Sequence, residues 1–418
     1  MSSMNNLWGS FCRLKCLNNY HKLSRIWCST WISHPQNNQI YGIQSRKMSK
    51  TCFSNQNKLS DNKAFSLSKI VNFSTRTCKE DLVEAWFYEV KTFGKIDIKV
   101  PFDLEVEPLH PLEYPNMNKF IIEIFNTSAS KDKIGSFNKL YNLNIDVDDE
   151  KEIVKVKADV SDGVQLPLIC NIKIPIKFNV NIESEDKDVT IKKFEADEIK
   201  IKTITGNCNL QKLKCGSIDV VSNGGNIISE SLLQGNIQLS TTGTGEITGD
   251  RFQGQTIQCC NEKGDVDIKT IYADKTLIST QSGDIHIGSC HGNSTVEIKT
   301  GDLSIDTLDG DIKTSIEDGD VDIYIARCGH VDINTTKGDI QVKLSETVTA
   351  DVNLQAESID ISQDINYTGQ PEKTTNDQIQ HSGNINGGDS GCKISVTSKQ
   401  GKITLTQQDW FSTLKLSS

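Results

Sequence analysis

The acidic residues most able to do chemistry recur. Glu246, Asp265, Asp284, Asp302, Asp320 and Asp339 follow one another at steps of 18 or 19 residues. A second column at the same steps runs through Asn236, Gln255, Asp274, Asn293, Asp311 and His330. If consecutive repeats stack as hydrogen-bonded strands, each column becomes a ladder with rungs roughly 4.8 Å apart. Like charges at that spacing repel, so the acids must splay into water, pair with Lys263, Lys299, Lys337 or Lys343, or hold cations. Carboxylates on one face could also serve as the general acid and base of sugar hydrolysis. The expected role is the plainest one, solvated turn carboxylates that accept hydrogen bonds from nearby backbone. The calcium-binding pattern Gly-Gly-x-Gly-x-Asp is absent, so no metal site is assigned.

Other chemistries have less to stand on. His110, His286, His291, His330 and His381 have no recognisable Ser or Cys nucleophile motif around them. His286 alternates with Ile285 and Ile287 and should face solvent; His291, beside Cys290 and Gly292, could ligate a metal but is expected in a coil between strands. The 13 cysteines are scattered, apart from adjacent Cys259 and Cys260, and show no paired C-x-x-C spacing for zinc, so they are expected to be reduced and structural. Gly243-Thr244-Gly245 is too short for a dinucleotide fingerprint and leads into a strand. Between residues 200 and 345 the only aromatics are Phe252, Tyr272 and Tyr324, few platforms for a sugar-binding groove. No catalytic, cofactor-binding or metal-ligating residue is assigned, and no cofactor is expected.

The columns require an element that repeats. Gly, then a small polar or acidic residue, then an aliphatic one appears at Gly225, Gly235, Gly245, Gly264, Gly283, Gly301, Gly310, Gly319 and Gly338. Gly tolerates positive φ and Asp or Asn bonds its own neighbouring backbone, so each unit makes a tight reversal. Alternation follows, as in Val266-Asp267-Ile268-Lys269, which points Val266 and Ile268 inward. A coil of about 19 residues with two strands and two corners accounts for both columns. The fold class is therefore all-β, a single-stranded β-helix or β-solenoid, preceded by an irregular β-rich preamble and a disordered leader.

Three segments follow. Residues 1–60 carry eight Lys or Arg and no Asp or Glu, so with a net charge of −10 for the whole sequence residues 61–418 hold −18. This basic leader, with Leu7, Phe11, Leu14 and Leu17 on one face of a helix, fits a mitochondrial transit peptide, the alternative being a cytoplasmic protein with a basic tail. Residues 80–190 form the β-rich preamble and N-terminal cap, broken by prolines at 101, 108, 111, 115, 167 and 175; residues 172–178 look like an edge strand or an atypical first coil. Residues 190–410 form the solenoid: a regular array over 200–345, a long loop over about 366–389, and C-terminal capping strands with Trp410 and Phe411. So acidic a body should repel phosphate backbones, which argues against nucleic acid. No apolar run is long enough for a transmembrane segment.

The Gly-Asp-aliphatic units, the runs such as Lys275-Thr276-Leu277-Ile278-Ser279-Thr280 and the Thr-x-x-Gly-Asp lead-ins resemble the putative-adhesin β-solenoid family, a domain of unknown function. A basic leader, strand-rich preamble and single array together are similar to its animal members, called "family with sequence similarity 185". The resemblance spans roughly residues 190 to 410. It implies a solenoid and brings no catalytic residues with it. With nothing that converges on catalysis, the expected function is that of a non-enzymatic interaction or scaffold protein presenting a solenoid surface to an unknown protein partner. The alternatives are a carbohydrate-active or other β-helix enzyme using carboxylates on one face, and cation binding through the Asp column.

Overall fold

A computed structural model describes residues 81–128, 140–150, 152–160, 166–373, 378–388 and 391–408. The leader, with Leu7, Phe11, Leu14 and Leu17, lies outside them, as do Trp410 and Phe411. Every element among the described residues is a strand, and all 25 belong to one hydrogen-bonded sheet.

In the array each coil is one long strand that bends as it goes. Val266–Ser282 pairs in parallel with Ile247–Lys263 before it and Ile285–Thr300 after it. Inward-facing residues show where it turns, because on a straight strand they are two apart. In Val266–Ser282 the buried positions include Val266, Ile268, Ile271, Ala273, Thr276, Ile278 and Thr280. The two steps of three residues, after Ile268 and after Ala273, mark bends. The second is the corner of the Asn236 column; the first is a further bend that no Gly-Asp pair signals. The coil thus has the expected length and three inward runs.

The short middle run stacks Leu213, Leu233, Phe252, Ile271, Cys290, Leu308, Ile325 and Leu344 into one buried column. Each Leu, Ile or Phe in it contributes on the order of 1.5–3 kcal/mol when fully removed from water. Phe252 is oversized for its place and is accommodated because Gly249 stands where later coils carry Ile268, Ile287 and Ile305. A methyl group at Gly249 would overlap the Phe252 ring.

The preamble proves to be part of the same stack. Phe93–Lys99 lies parallel to Ile153–Val160 on one side and Lys177–Glu183 on the other. Asp103–Pro108 lies likewise between Leu168–Ile174 and Val189–Lys192. Residues 172–178 are therefore no edge: Leu168–Ile174 is paired on both sides, and Pro175 sits in the turn before Lys177–Glu183. Coiling continues across the expected boundary at 190 because its corners are made here without Gly-Asp pairs. The outermost N-terminal strands pair antiparallel instead, Leu82–Glu89 with Lys119–Asn126 and Tyr141–Asp148 with Ile153–Val160.

The C-terminal end departs further from expectation. Lys393–Gln400 and Lys402–Gln407 do not cap the array. They insert as its next coil, pairing with Val321–Lys337 and Ile340–Leu344 on one side and with Ala350–Ala356 and Ser358–Ile361 on the other. Gly401-Lys402-Ile403 is thus the repeat unit that follows Gly338-Asp339-Ile340, 63 residues later in the chain. The expected long loop over 366–389 holds two strands, Tyr367–Lys373 and Ile379–Ile385, which close the stack as an antiparallel hairpin against Ala350–Ala356. Their polar, Gly-containing composition hid them, since a terminal hairpin buries little besides Ile385. Pro371 on the outer strand lacks an amide hydrogen and blunts that edge.

At the Gly-Asp corner, Gly264, Gly283, Gly301, Gly319 and Gly338 take φ values between 138° and 140° or, at Gly319, 159°. Gly283 illustrates the constraint: a Cβ there would overlap the carbonyl of Gly264 as well as demand a conformation other residues avoid. Gly283→Ala should therefore lower unfolding free energy by about 3 kcal/mol. The urea midpoint of the full chain measures it; a midpoint unchanged from wild type would show that the corner yields.

Candidate functional site

The first acidic column is occupied structurally. The backbone N–H of Asp284 donates to Asp265 Oδ1, that of Asp302 to Asp284, Asp320 to Asp302, Asp339 to Asp320, and Lys402 to Asp339, at 2.7 to 2.9 Å. An earlier series links the N–H groups of Asn207, Asn226 and Glu246 to the side-chain oxygens of Asp188, Asn207 and Asn226, each at 2.9 Å. Glu246, one methylene longer, ends that series. These carboxylates thus tie each coil to the next. Of the four lysines that could pair with them, Lys337 goes instead to Asp318 at 2.8 Å and Lys343 to Asp322 at 2.6 Å.

Behind the same corner runs a buried polar ladder that supports it from inside. Thr241 Oγ1 donates to Asn261 Oδ1 at 2.8 Å, and Asn261 Nδ2 donates to the carbonyls of Gly245 and Gly264, both at 2.9 Å. Ser398 Oγ serves the Gly338 carbonyl in the inserted coil at 2.8 Å.

The second column faces a different feature. Ala196, Cys215, Gly235, Gly254, Ala273 and Gly292 succeed one another at one bend and form the floor of an open groove of about 1060 Å³. Coil backbones approach so closely there that a methyl at Gly254 would overlap the Gly235 carbonyl, and one at Gly292 the Ala273 carbonyl. One wall is the register column Lys214, Gln234, Gln253, Tyr272 and His291. It extends beyond the groove through Asp309 and Arg327. The other wall carries Asp197, Asn236, Gln255 and Asp274, which places three members of the second column in the groove. Asn293 does not continue it: it pairs with Lys275, because the coil is one residue shorter there. His330 and Asp311 meet at the corner instead, the His330 N–H donating to Asp311 Oδ1 at 2.8 Å.

Tyr272 and His291 give the groove its character. Their rings stack with centroids 4.3 Å apart and planes 15° from parallel. His291 Nδ1 lies 3.2 Å from Asp309 Oδ2, and the same oxygen accepts from Arg327 Nη2. The expected coil position of His291 is thus a strand position at a bend, held by a ring and a carboxylate. His286 lies within the strand Ile285–Thr300, on the side away from buried Ile285 and Ile287 as expected, 3.6 Å from Asp306. Phe252 and Tyr324 are buried, so within the array Tyr272, 44% exposed, is the aromatic ring offered to a ligand.

The thiols are structural. Burial pushes the Cys170 thiol up to about 12 and those of Cys208 and Cys215 up to about 11, so Cys215 in the groove floor is no nucleophile at neutral pH. Cys392, expected to be reduced, is disulfide-bonded. Among the described residues no three His, Cys, Asp or Glu gather as they would around a metal, and no helix is long and apolar enough to cross a membrane.

The groove wall from Gln234 to Arg327 was missed in the sequence, although its members also recur at steps of 18 or 19 residues. Its residue types vary, whereas the Asp column repeats one, so in the sequence it shows periodicity of position without periodicity of type.

Residues 227–406 match the family described as Toastrack DUF4097. Among solved structures, the chain is similar to a putative adhesin of Parabacteroides merdae at 14% identity and a TM-score of 0.35, over 61% of this chain and 94% of that one. A putative adhesin of Bacteroides fragilis matches at 15% identity and a TM-score of 0.28, over 78% and 96%. One from Parabacteroides distasonis matches at 13% and 0.34, over 61% and 95%.

The corner ladder yields a test that separates bonding from charge. Asp302→Ala removes the acceptor for the Asp320 N–H and should cost about 1 kcal/mol, whereas Asp302→Asn keeps an acceptor, relieves repulsion and should cost less than about 0.3 kcal/mol. Denaturant midpoints of the full-length variants give both values. Millimolar Ca²⁺ should leave the wild-type melting temperature unmoved; a rise that Asp302→Asn abolishes would establish a cation site.

Proposed function

We propose that this protein is a non-enzymatic interaction or scaffold protein whose solenoid presents the groove, with its Tyr272–His291 wall, to a protein partner. The observation that carries this reading is the contrast between the two columns. Corner carboxylates are spent on the backbone of the next coil, while the groove side chains Gln234, Gln253, Gln255, Asp274 and Tyr272 are exposed around a floor whose glycines admit no side chain. Exposed Tyr and Arg on a rigid sheet are the residue types on which protein interfaces concentrate their binding energy. The match to Toastrack DUF4097 over residues 227–406 fits a surface role of this kind. The basic leader, preamble and single array support membership of the animal type called "family with sequence similarity 185".

The compartment we propose is the mitochondrion, on the strength of the acid-free, basic residues 1–60. Full chain and a version lacking residues 1–60, each tagged at the C terminus, should separate in a protease-protection assay of fractionated cells: the first trimmed and protected in mitochondria, the second cytosolic. Both remaining cytosolic would reject the leader reading. Within the compartment found, crosslinking should capture a protein in defined stoichiometry; a chain that stays uncrosslinked and monomeric would reject the scaffold role.

A further inference from the structure

We infer that the groove binds a proline-rich segment in the polyproline II conformation, lying along the solenoid axis. This rests on the protein-partner reading above and names the chemistry of that partner. Three observations lead to it.

First, the groove offers no backbone. The floor residues spend their N–H and C=O groups between coils, as in the pairings of Gly254 with Ala273 and Ala273 with Gly292. A strand cannot be added there, since strand addition needs an unpaired edge. No Leu, Ile, Val, Met or Phe lines it, so an amphipathic helix has no apolar side-chain groove to fill. A polyproline II segment makes no internal hydrogen bonds, and its carbonyls look for external donors. Amide side chains supply them: Gln234 and Gln253 stand on one wall and Gln255 on the other, all exposed.

Second, the repeats are commensurate. Polyproline II returns to the same face after three residues, a rise of about 9.3 Å, and two coil steps span about 9.6 Å. An extended strand repeats every two residues, about 6.7 Å, and falls out of step with rungs at about 4.8 Å. Equivalent ligand residues therefore meet every second coil, as Gln234 and Tyr272 are placed.

Third, the ring and the charges fit. Polyproline recognition uses aromatic surface against the pyrrolidine rings, and Tyr272 offers an exposed ring fixed by its stack on His291. Glu195, Asp197 and Asp274 outnumber Lys177 and Lys214 in the lining, and Lys177 is 3.9 Å from Glu195. A basic residue flanking the prolines is favoured.

The test is fluorescence anisotropy of the full chain with a fluorescein-labelled peptide of about ten residues, a proline run flanked by arginines. Saturable binding is expected, weakened about tenfold or more by Tyr272→Ala, about threefold by Gln253→Ala, and little by Tyr272→Phe. A peptide of equal charge with alternate prolines replaced by glycine should bind about tenfold more weakly, having lost the preformed conformation. Exposure of Tyr272 lets its variants fold, and an unchanged melting temperature verifies that. The inference fails if the wild type does not bind the proline peptide, if Tyr272→Ala binds it equally well, or if a neutral hexose oligosaccharide binds in a Tyr272-dependent manner and the peptide does not. Crosslinking of wild type and Tyr272→Ala in cells separates the two readings. A partner captured equally by both leaves the scaffold role standing and overturns the groove assignment; Tyr272-dependent peptide binding with no captured protein upholds the groove and rejects the scaffold role.

Discussion

Everything in this molecule depends on how closely one coil can approach the next. Parallel backbone hydrogen bonds set that approach, and they hold only if no side chain intrudes where the chain turns. At the sharpest corner the demand is met by glycines in a conformation nearly closed to other residues, flanked by an Asp or Asn whose oxygen accepts the next coil's amide hydrogen. At the groove it is met by a floor of Gly, Ala and one Cys. The aliphatic core then fills itself, because stacking fixes each inward residue above the one a coil earlier.

The same constraint explains what could be seen in the sequence and what could not. The Gly-Asp corners were legible because the conformation allows almost no other residue, so position and type repeat together. The bend after Ile268 was not, since several residue types can make it and only the burial pattern reveals it. The preamble looked irregular because its corners carry no Gly-Asp pairs and are separated by insertions, yet Ile96, Ile98, Val180 and Ile182 stack as regularly as the array does. Gly401 carried the repeat signature openly; what the sequence concealed was that its coil follows Gly338 across a 63-residue interval.

For the candidate site the division is similar. Asp274, Gln255 and Asn236 are visible as a column of corners, and their place on a groove wall comes from the column of Tyr272, Gln253 and Gln234 that faces them. Tyr272 and His291 were visible only as single residues; their stacking is a product of register, 19 residues apart on neighbouring coils. The acidic column seemed the chemically richest feature and turned out to be spent on architecture. Recurrence of one residue type can signal a structural constraint as readily as a reactive group.

The insertion of Lys393–Gln400 and Lys402–Gln407 beneath Ala350–Ala356 and Ser358–Ile361 bears on how the chain is made. During synthesis from the N terminus the stack can grow coil by coil as far as Leu344 and must then wait. Residues 350–361 emerge next, but their seat is a strand still inside the ribosome. The growing edge stays open until the last residues of the domain arrive, so a ribosome that stops early would release a chain with an uncovered, aggregation-prone edge. Completion of the stack is thereby tied to the synthesis of residues 393–407.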